Sequence, residues 1–210
     1  MLDDLVVVRS CGDDNGSLLA LASLVPSLCG MGLVYVDGSE RGITARVNDA
    51  LSAARLVAEK VIVLRTTKSK HSRTLWEGLD LALSMDFDRL HHFDEDVIVA
   101  PSWFAQNWPR DAIASMQVCE IDALKGYRST TPGPCDHVSA HAFTVTKTVL
   151  VDADPHRLLN HKLGVFEDVL LCARTPCVVL PGVGVWHATR DTGGGYMRAV
   201  LEDYERRFKG

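Results

Sequence analysis

Three features of the sequence predict an α/β domain with a mainly parallel, mixed sheet flanked by helices. Short, continuous apolar runs rich in β-branched residues recur in the first half, at Leu5-Val6-Val7-Val8, Leu33-Val34-Tyr35-Val36 and Val61-Ile62-Val63-Leu64. Runs without polar alternation belong to strands buried on both faces. Segments with apolar residues at helical spacing separate them, so βαβ units follow. Finally, the ends of these strands carry Arg9, Asp37, Arg65 and Asp94-Glu95-Asp96. Ligands bind beyond the C-terminal ends of parallel strands, so polar chemistry collects where such a fold places it.

The elements can be taken in order. The first strand ends at Ser10-Cys11-Gly12, and Gly12 to Gly16 reads as a turn. Ser17 precedes an apolar helix reaching about Leu28, its end interrupted by Pro26. The second strand, Gly32 to Val36, stops at Asp37-Gly38-Ser39. From Thr44 onward, Val47, Ala50, Leu51, Ala54 and Ala58 share one helical face. Lys60 to Arg65 is the third strand, and Leu75, Trp76, Leu79, Ala82 and Leu83 form the next helical stripe. The fourth strand runs into the acidic triplet.

The second half is less regular. Ser102 is expected to cap a short helix that Pro109 disturbs, Val118 to Ile121 is a strand, and Lys125 to Asp136 is a loop. Ala142 to Thr146 alternates as a strand does, and Val165 to Arg174 is a helix starting near Glu167-Asp168. Cys177 to Leu180 and Val185-Trp186-His187 are expected as two further strands. Asp191 to Gly195 reads as mobile, and Met197, Val200, Leu201, Tyr204 and Phe208 mark a last amphipathic helix.

A chain of 210 residues without an internal linker is expected to form one domain. Its net charge of −5 gives no indication of nucleic-acid binding, which favours a basic stripe, although a local patch or a nucleic-acid acceptor remains open. The six cysteines form no C-x-x-C pair, which speaks against zinc and for a reducing compartment. Met1-Leu2-Asp3-Asp4 lacks a signal-peptide layout, and no apolar run approaches the ~20 residues that span a bilayer. A cytoplasmic location is expected.

The acidic triplet is the feature that needs explanation. Carboxylates crowded between Phe93 and Val97 repel one another unless a cation binds or their pKa values rise. A hard divalent ion with oxygen ligands is the usual remedy. In order along the chain stand the polar end of the first strand, Asp37-Gly38-Ser39, Phe93-Asp94-Glu95-Asp96-Val97, and Glu167-Asp168 with Leu171 and Arg174. That set resembles the GT-A type nucleotide-sugar glycosyltransferases, nearest the family 2 group, with its D-x-D and E-D-x-x-L-x-x-R motifs. The likeness spans roughly residues 5 to 187.

The resemblance implies a single GT-A, Rossmann-like domain over 1–210. Residues 1–100 would form a nucleotide-sugar-binding half, 101–190 an acceptor and catalytic half, and 191–210 a flexible loop and C-terminal helix. It implies a nucleoside-diphosphate sugar donor, UDP-sugar favoured, a hydroxyl acceptor of unspecified identity, and Mn²⁺ or Mg²⁺ as cofactor. Asp37 would accept from the base, with Arg9 and the main chain after the first strand lining the same pocket. Asp96, with Asp94 bridging through ion, sugar or ribose, would hold the metal, and His187 would be a third ligand or a diphosphate contact. Asp168, or less readily Glu167, would be the general base of an inverting transfer.

The chain departs from the family pattern at Val36-Asp37-Gly38, with one Asp in place of two, and at Lys68 to Arg73. In that basic cluster Arg73 is the candidate diphosphate contact. Simpler readings stand beside these. The triplet reads alternatively as a solvated turn, and Glu167-Asp168 as favourable charge in a first helical turn. Arg174 is expected to pair with that acidic pair, His91 and His92 to pack, Trp103 and Trp108 to fill the core, and Glu95 to matter least of the triplet. Nucleotidyl transfer making nucleotide sugars, and a non-catalytic nucleotide- or glycan-binding domain, are the competing functions.

Overall fold

The structure is a computed structural model that describes residues 2–10, 17–39, 42–66, 71–122, 126–129, 131–160 and 167–188. Strand β1 (Leu2–Ser10) lies between β2 (Gly32–Asp37) and β4 (Phe87–Asp94), parallel to both, and β2 continues to β3 (Lys60–Arg65), also in parallel. Helices α1 (Ser17–Leu24), α2 (Ala45–Arg55) and α3 (His71–Leu83) make the crossovers. Thr44 caps α2 by accepting from the Val47 N–H at 3.4 Å, which satisfies one of the free donors of the first turn.

The unalternating sequence of β1 and β2 is explained by two apolar layers. Val6 and Val8 with Leu33 and Tyr35 pack on one face, in the layer that holds Leu21 and Leu24 of α1 and Leu51 of α2. Leu5 and Val7 with Val34 and Val36 face the other layer, with Leu75, Leu79 and Ala82 of α3. Fully burying each such side chain contributes about 1.5–3 kcal/mol. Gly78 lets α3 close on this sheet: a Cβ there would lie 2.8 Å from Val36 Cγ2.

Beyond β4 the sheet turns mixed. Strand β5 (Val97–Val99) is followed by a 3₁₀ turn, Pro101–Trp103, and then by β6 (Ile113–Asp122), β7 (Gly126–Ser129), β8 (Gly133–Cys135) and β9 (Ala142–Thr146). Helices α4 (Lys147–Ala153) and α5 (Glu167–Cys172) precede the long β10 (Cys177–Ala188). The strand order is β3-β2-β1-β4-β9-β6-β10-β5, with β7 on β6 and β8 on β10. Strand β9 runs antiparallel to β4, and β5 antiparallel to β10.

Several expectations shift. The two strands expected around Cys177 and His187 are one, with register irregularities between Leu180 and Val185, since bulges let one strand bend. The expected loop from Lys125 holds β7 and β8, because edge ladders form there despite Gly133 and Pro134. The first helix stops at Leu24 and tightens to 3₁₀ geometry at Pro26. Helix α4, capped by Thr146, follows β9 without a break and was hidden by its β-branched composition. The expected loop and helix beyond Asp191 lie outside the described residues. Among the described residues, no helix is long and apolar enough to cross a membrane.

Candidate functional site

The ends of three parallel strands build the centre. Register sets Ser10 of β1 beside Asp37 of β2, and Arg9 beside Asp94 of β4. Arg9 is buried and forms a two-pronged pair with Asp94: Nε donates to Oδ1 at 2.7 Å and Nη2 to Oδ2 at 2.8 Å. Its remaining prong, Nη1, donates to Glu167 Oε1 at 2.8 Å. One guanidinium therefore joins the two acidic motifs, using the planar fork that lysine lacks. Burial raises the Asp94 pKa, but Arg9, His141 and His92 outweigh it and hold the carboxyl well below the usual range.

Around Asp94 lie two histidines. His141 Nδ1 is 3.0 Å from Oδ2, and the Asp94 N–H donates to the His141 carbonyl at 2.9 Å. His92 Nε2 lies 3.3 Å from Oδ1, short of a well-formed hydrogen bond. Burial lowers the His92 pKa despite that carboxylate. The two rings alternate as expected: His92 packs on Phe143, centroids 4.8 Å apart, while His91 packs toward Phe104.

Asp96 sits in the turn after β4. Pairing of β5 with β10 sets His187 against Val97 and brings His187 Nε2 to 3.3 Å from Asp96 Oδ2. The His187 ring stacks on His141, centroids 3.6 Å apart at 21°. Asp96, His141 and His187 each offer one ligand atom within 4.8 Å of the others. One carboxylate oxygen with two imidazole nitrogens suits a borderline divalent ion such as Mn²⁺. The residues thus fit a metal. Sequence reasoning missed His141, which the β4–β9 pairing delivers; a histidine beside an alternating strand carried no local signal. Asp94, expected as a ligand, lies outside this group.

At the end of β2, Asp37 is buried, and its Oδ1 accepts from the Ser39 N–H at 3.0 Å. Among the described residues its buried Oδ2 has no hydrogen-bond partner, which is costly unless a ligand donates to it. Gly38 is required here, because a Cβ would lie 2.8 Å from the Ser10 carbonyl oxygen. Glu95, expected to matter least, is buried: Ser10 Oγ donates to its Oε2, and its carbonyl accepts from the Ala20 N–H at 3.2 Å. It fastens α1 to the strand ends.

At the start of α5, Asp168 is half-buried and its Oδ1 accepts from its neighbour Val169 N–H at 2.9 Å. Burial raises its pKa, with Glu167 adding to the effect and His137 and His141 opposing it. Arg73 is exposed and pairs with Glu77 at 2.9 Å on α3. The rest of its basic cluster to Lys70 lies outside the described residues. Arg174 does not pair with Glu167 or Asp168. It falls in the turn after α5 and lies 4.0 Å from Asp154. Trp103 and Trp108 are core residues, centroids 4.7 Å apart.

No protein-family description and no curated protein matches the chain. Among solved structures, it is similar to the mannosyltransferase PcManGT from Pyrobaculum calidifontis in complex with GDP-Man and Mn²⁺. The TM-score is 0.60 at 12% identity over 99% of this chain and 64% of that one. It is also similar to S. aureus TarS 1-349, with TM-score 0.61 at 12% identity over 89% of this chain and 60% of that one. A complex of the same TarS fragment with UDP scores 0.59. The chain thus spans less than two thirds of the length of these glycosyltransferases. The likeness shows a GT-A-like fold.

Proposed function

We propose that the protein transfers a glycosyl group from a nucleoside-diphosphate sugar, a UDP-sugar first among candidates, to a hydroxyl acceptor with inversion. The observation that carries this reading is the joining of Asp94 and Glu167 by Arg9, which sets the α5 acids beside the Asp96, His141 and His187 group. The GDP-Man and Mn²⁺ of one fold neighbour and the UDP of another support the donor class.

Asp37 binds the base, offering its unpaired Oδ2 to a ring N–H. Asp96, His141 and His187 hold the ion, which when bound neutralises charge on the diphosphate as a Lewis acid. Asp168 accepts the proton of the acceptor hydroxyl while the new C–O bond forms at the anomeric carbon. The bond from that carbon to the diphosphate breaks, and its electron pair leaves with the nucleoside diphosphate. A carboxylate with a raised pKa suits this task, because a base works best when its pKa lies near the working pH. Glu167 is committed to Arg9 and serves the site by position.

The test is thermal shift against UDP-, GDP- and dTDP-sugars with and without Mn²⁺, followed by assay of nucleoside diphosphate release. Metal-dependent stabilisation and release are expected. Stabilisation by none of these sugars overturns the reading.

A further inference from the structure

The D-x-D resemblance assigns Asp94 to the ion or the donor, yet its contacts give it another task. A carboxylate offers about four lone-pair sites. Around Asp94 stand Arg9 Nε at 2.7 Å, Arg9 Nη2 at 2.8 Å, His141 Nδ1 at 3.0 Å and His92 Nε2 at 3.3 Å. With its oxygens so surrounded and the residue buried, Asp94 is poorly placed to turn toward a metal. To bond an ionised Asp94, the His141 ring must carry its proton on Nδ1, which leaves the lone pair on Nε2.

We propose that Asp94 is the positioning residue of the cation centre. Anchored by Arg9, it fixes the tautomer and orientation of His141, so that Asp96, His141 and His187 together present one oxygen and two nitrogens to one transition-metal ion. A carboxylate that accepts from a ligating histidine is a common device for orienting the ring and raising its basicity. Here the carboxylate is itself held from a second side, because Arg9 also bonds Glu167 at the start of α5. The His141 and His187 rings lie 3.6 Å apart by centroid, close enough for both to reach one ion once His187 turns its in-plane lone pair out of the stack. Such a donor set takes Mn²⁺ or Co²⁺ in preference to Mg²⁺, which prefers an all-oxygen shell. The inference rests on the proposed function for the purpose of the ion, but not for its binding.

The experiment uses the purified chain without nucleotide. Mn²⁺ binding is followed by loss of the free-ion electron paramagnetic resonance signal, with Mg²⁺ as competitor. The wild type is expected to bind Mn²⁺ and to lose it only to a large excess of Mg²⁺. His141→Ala, which leaves the Arg9–Asp94 pair in place, should weaken Mn²⁺ at least about 10-fold, and Asp94→Asn by about 10–100-fold. Nitrogen-15 spectra of the wild-type histidines should show His141 protonated on Nδ1, a readout that holds even where Asp94→Asn fails to fold. The inference is overturned by wild-type affinity in either variant, by the opposite tautomer, by equal affinity for Mg²⁺, or by absence of Mn²⁺ binding to the chain alone. Variants that lose Mn²⁺ from a protein that ignores every nucleotide sugar would instead overturn the glycosyl-transfer reading and leave this one standing.

Discussion

Arg9 Nη1 donates to Glu167 Oε1 at 2.8 Å, joining residues 158 positions apart. The same guanidinium pairs with Asp94, 85 positions away, so a residue at the C-terminal end of β1 holds both acidic motifs. Removing it strands two buried carboxylates. Breaking one buried pair costs about 3–5 kcal/mol, and here two bonds share one cation. Arg9→Ala should therefore lower stability by about 3–5 kcal/mol or more in urea denaturation. Arg9→Lys should recover only part of this, because an ammonium cannot reproduce the fork. Full recovery by lysine would show that charge alone matters.

Asp37 carries the second prediction. Asp37→Asn keeps an oxygen to accept from Ser39 while replacing the unpaired Oδ2 with an amide donor. An N–H of a bound base would then meet another donor. Leaving such a group unpaired costs about 1–3 kcal/mol, or roughly 5–150-fold in affinity. Nucleotide titration by calorimetry should show that loss with little change in melting temperature. Unchanged affinity would place the base elsewhere.

The first half of the fold and the gathering of the polar motifs at the strand ends were legible because they depend on local pattern. The runs Leu5 to Val8 and Leu33 to Val36 are apolar at every position because two layers cover them. That same cause makes them readable. The motifs lay at strand ends because register puts Ser10 beside Asp37 and Arg9 beside Asp94. The roles within the site were less legible. Whether Asp94 meets a metal or an arginine is decided by Arg9, and His141 enters only through antiparallel pairing of β9 with β4. Glu95 looked expendable on the assumption that an extended chain points it outward. A turn follows Asp94, Ser10 donates to the buried Glu95 side chain, and α1 donates to its main-chain carbonyl. Arg174 matched a motif by spacing, but α5 ends at Cys172, before the helical periodicity that would align it with Glu167.

At the proposed base, Asp168→Asn should spare donor binding and reduce transfer by about 10²–10⁴-fold. Asp96→Ala should abolish metal-dependent binding. The wild-type rate should fall with acid through a pKa above the ordinary carboxylate value of 3.8, because burial raises that of Asp168 and only the ionised form accepts a proton. Nucleoside diphosphate release across pH, measured for wild type and Asp168→Asn, checks both points. Full activity in the variant would move the base to another group.

Acid should also loosen the fold through His91. Trp103 Nε1 donates to His91 Nδ1 at 3.1 Å, and His91 Nε2 meets Asp4 Oδ1 at 3.1 Å. Trp103 has only a donor to offer, so the ring is neutral, with its proton on Nε2. A second proton on Nδ1 would face the indole N–H. Burial lowers the His91 pKa from its ordinary 6.5, more than Asp4 raises it. Because the folded pKa is depressed, the unfolded chain binds the proton more readily, and stability rises with pH between the two values. The contribution is complete above 6.5 and is lost as the pH falls from there through the folded value. His92, likewise lowered by burial, acts in the same direction, whereas Asp168, raised by burial, acts against it at lower pH. The His91 share is isolated by comparison with His91→Asn, whose amide oxygen can still accept from Trp103 but does not titrate. Urea midpoints should fall more steeply for the wild type than for the variant between pH 7.5 and 5 (about 1.4 kcal/mol for each unit of pKa depression). Parallel profiles would mean that the His91 ring accepts its second proton without losing Trp103.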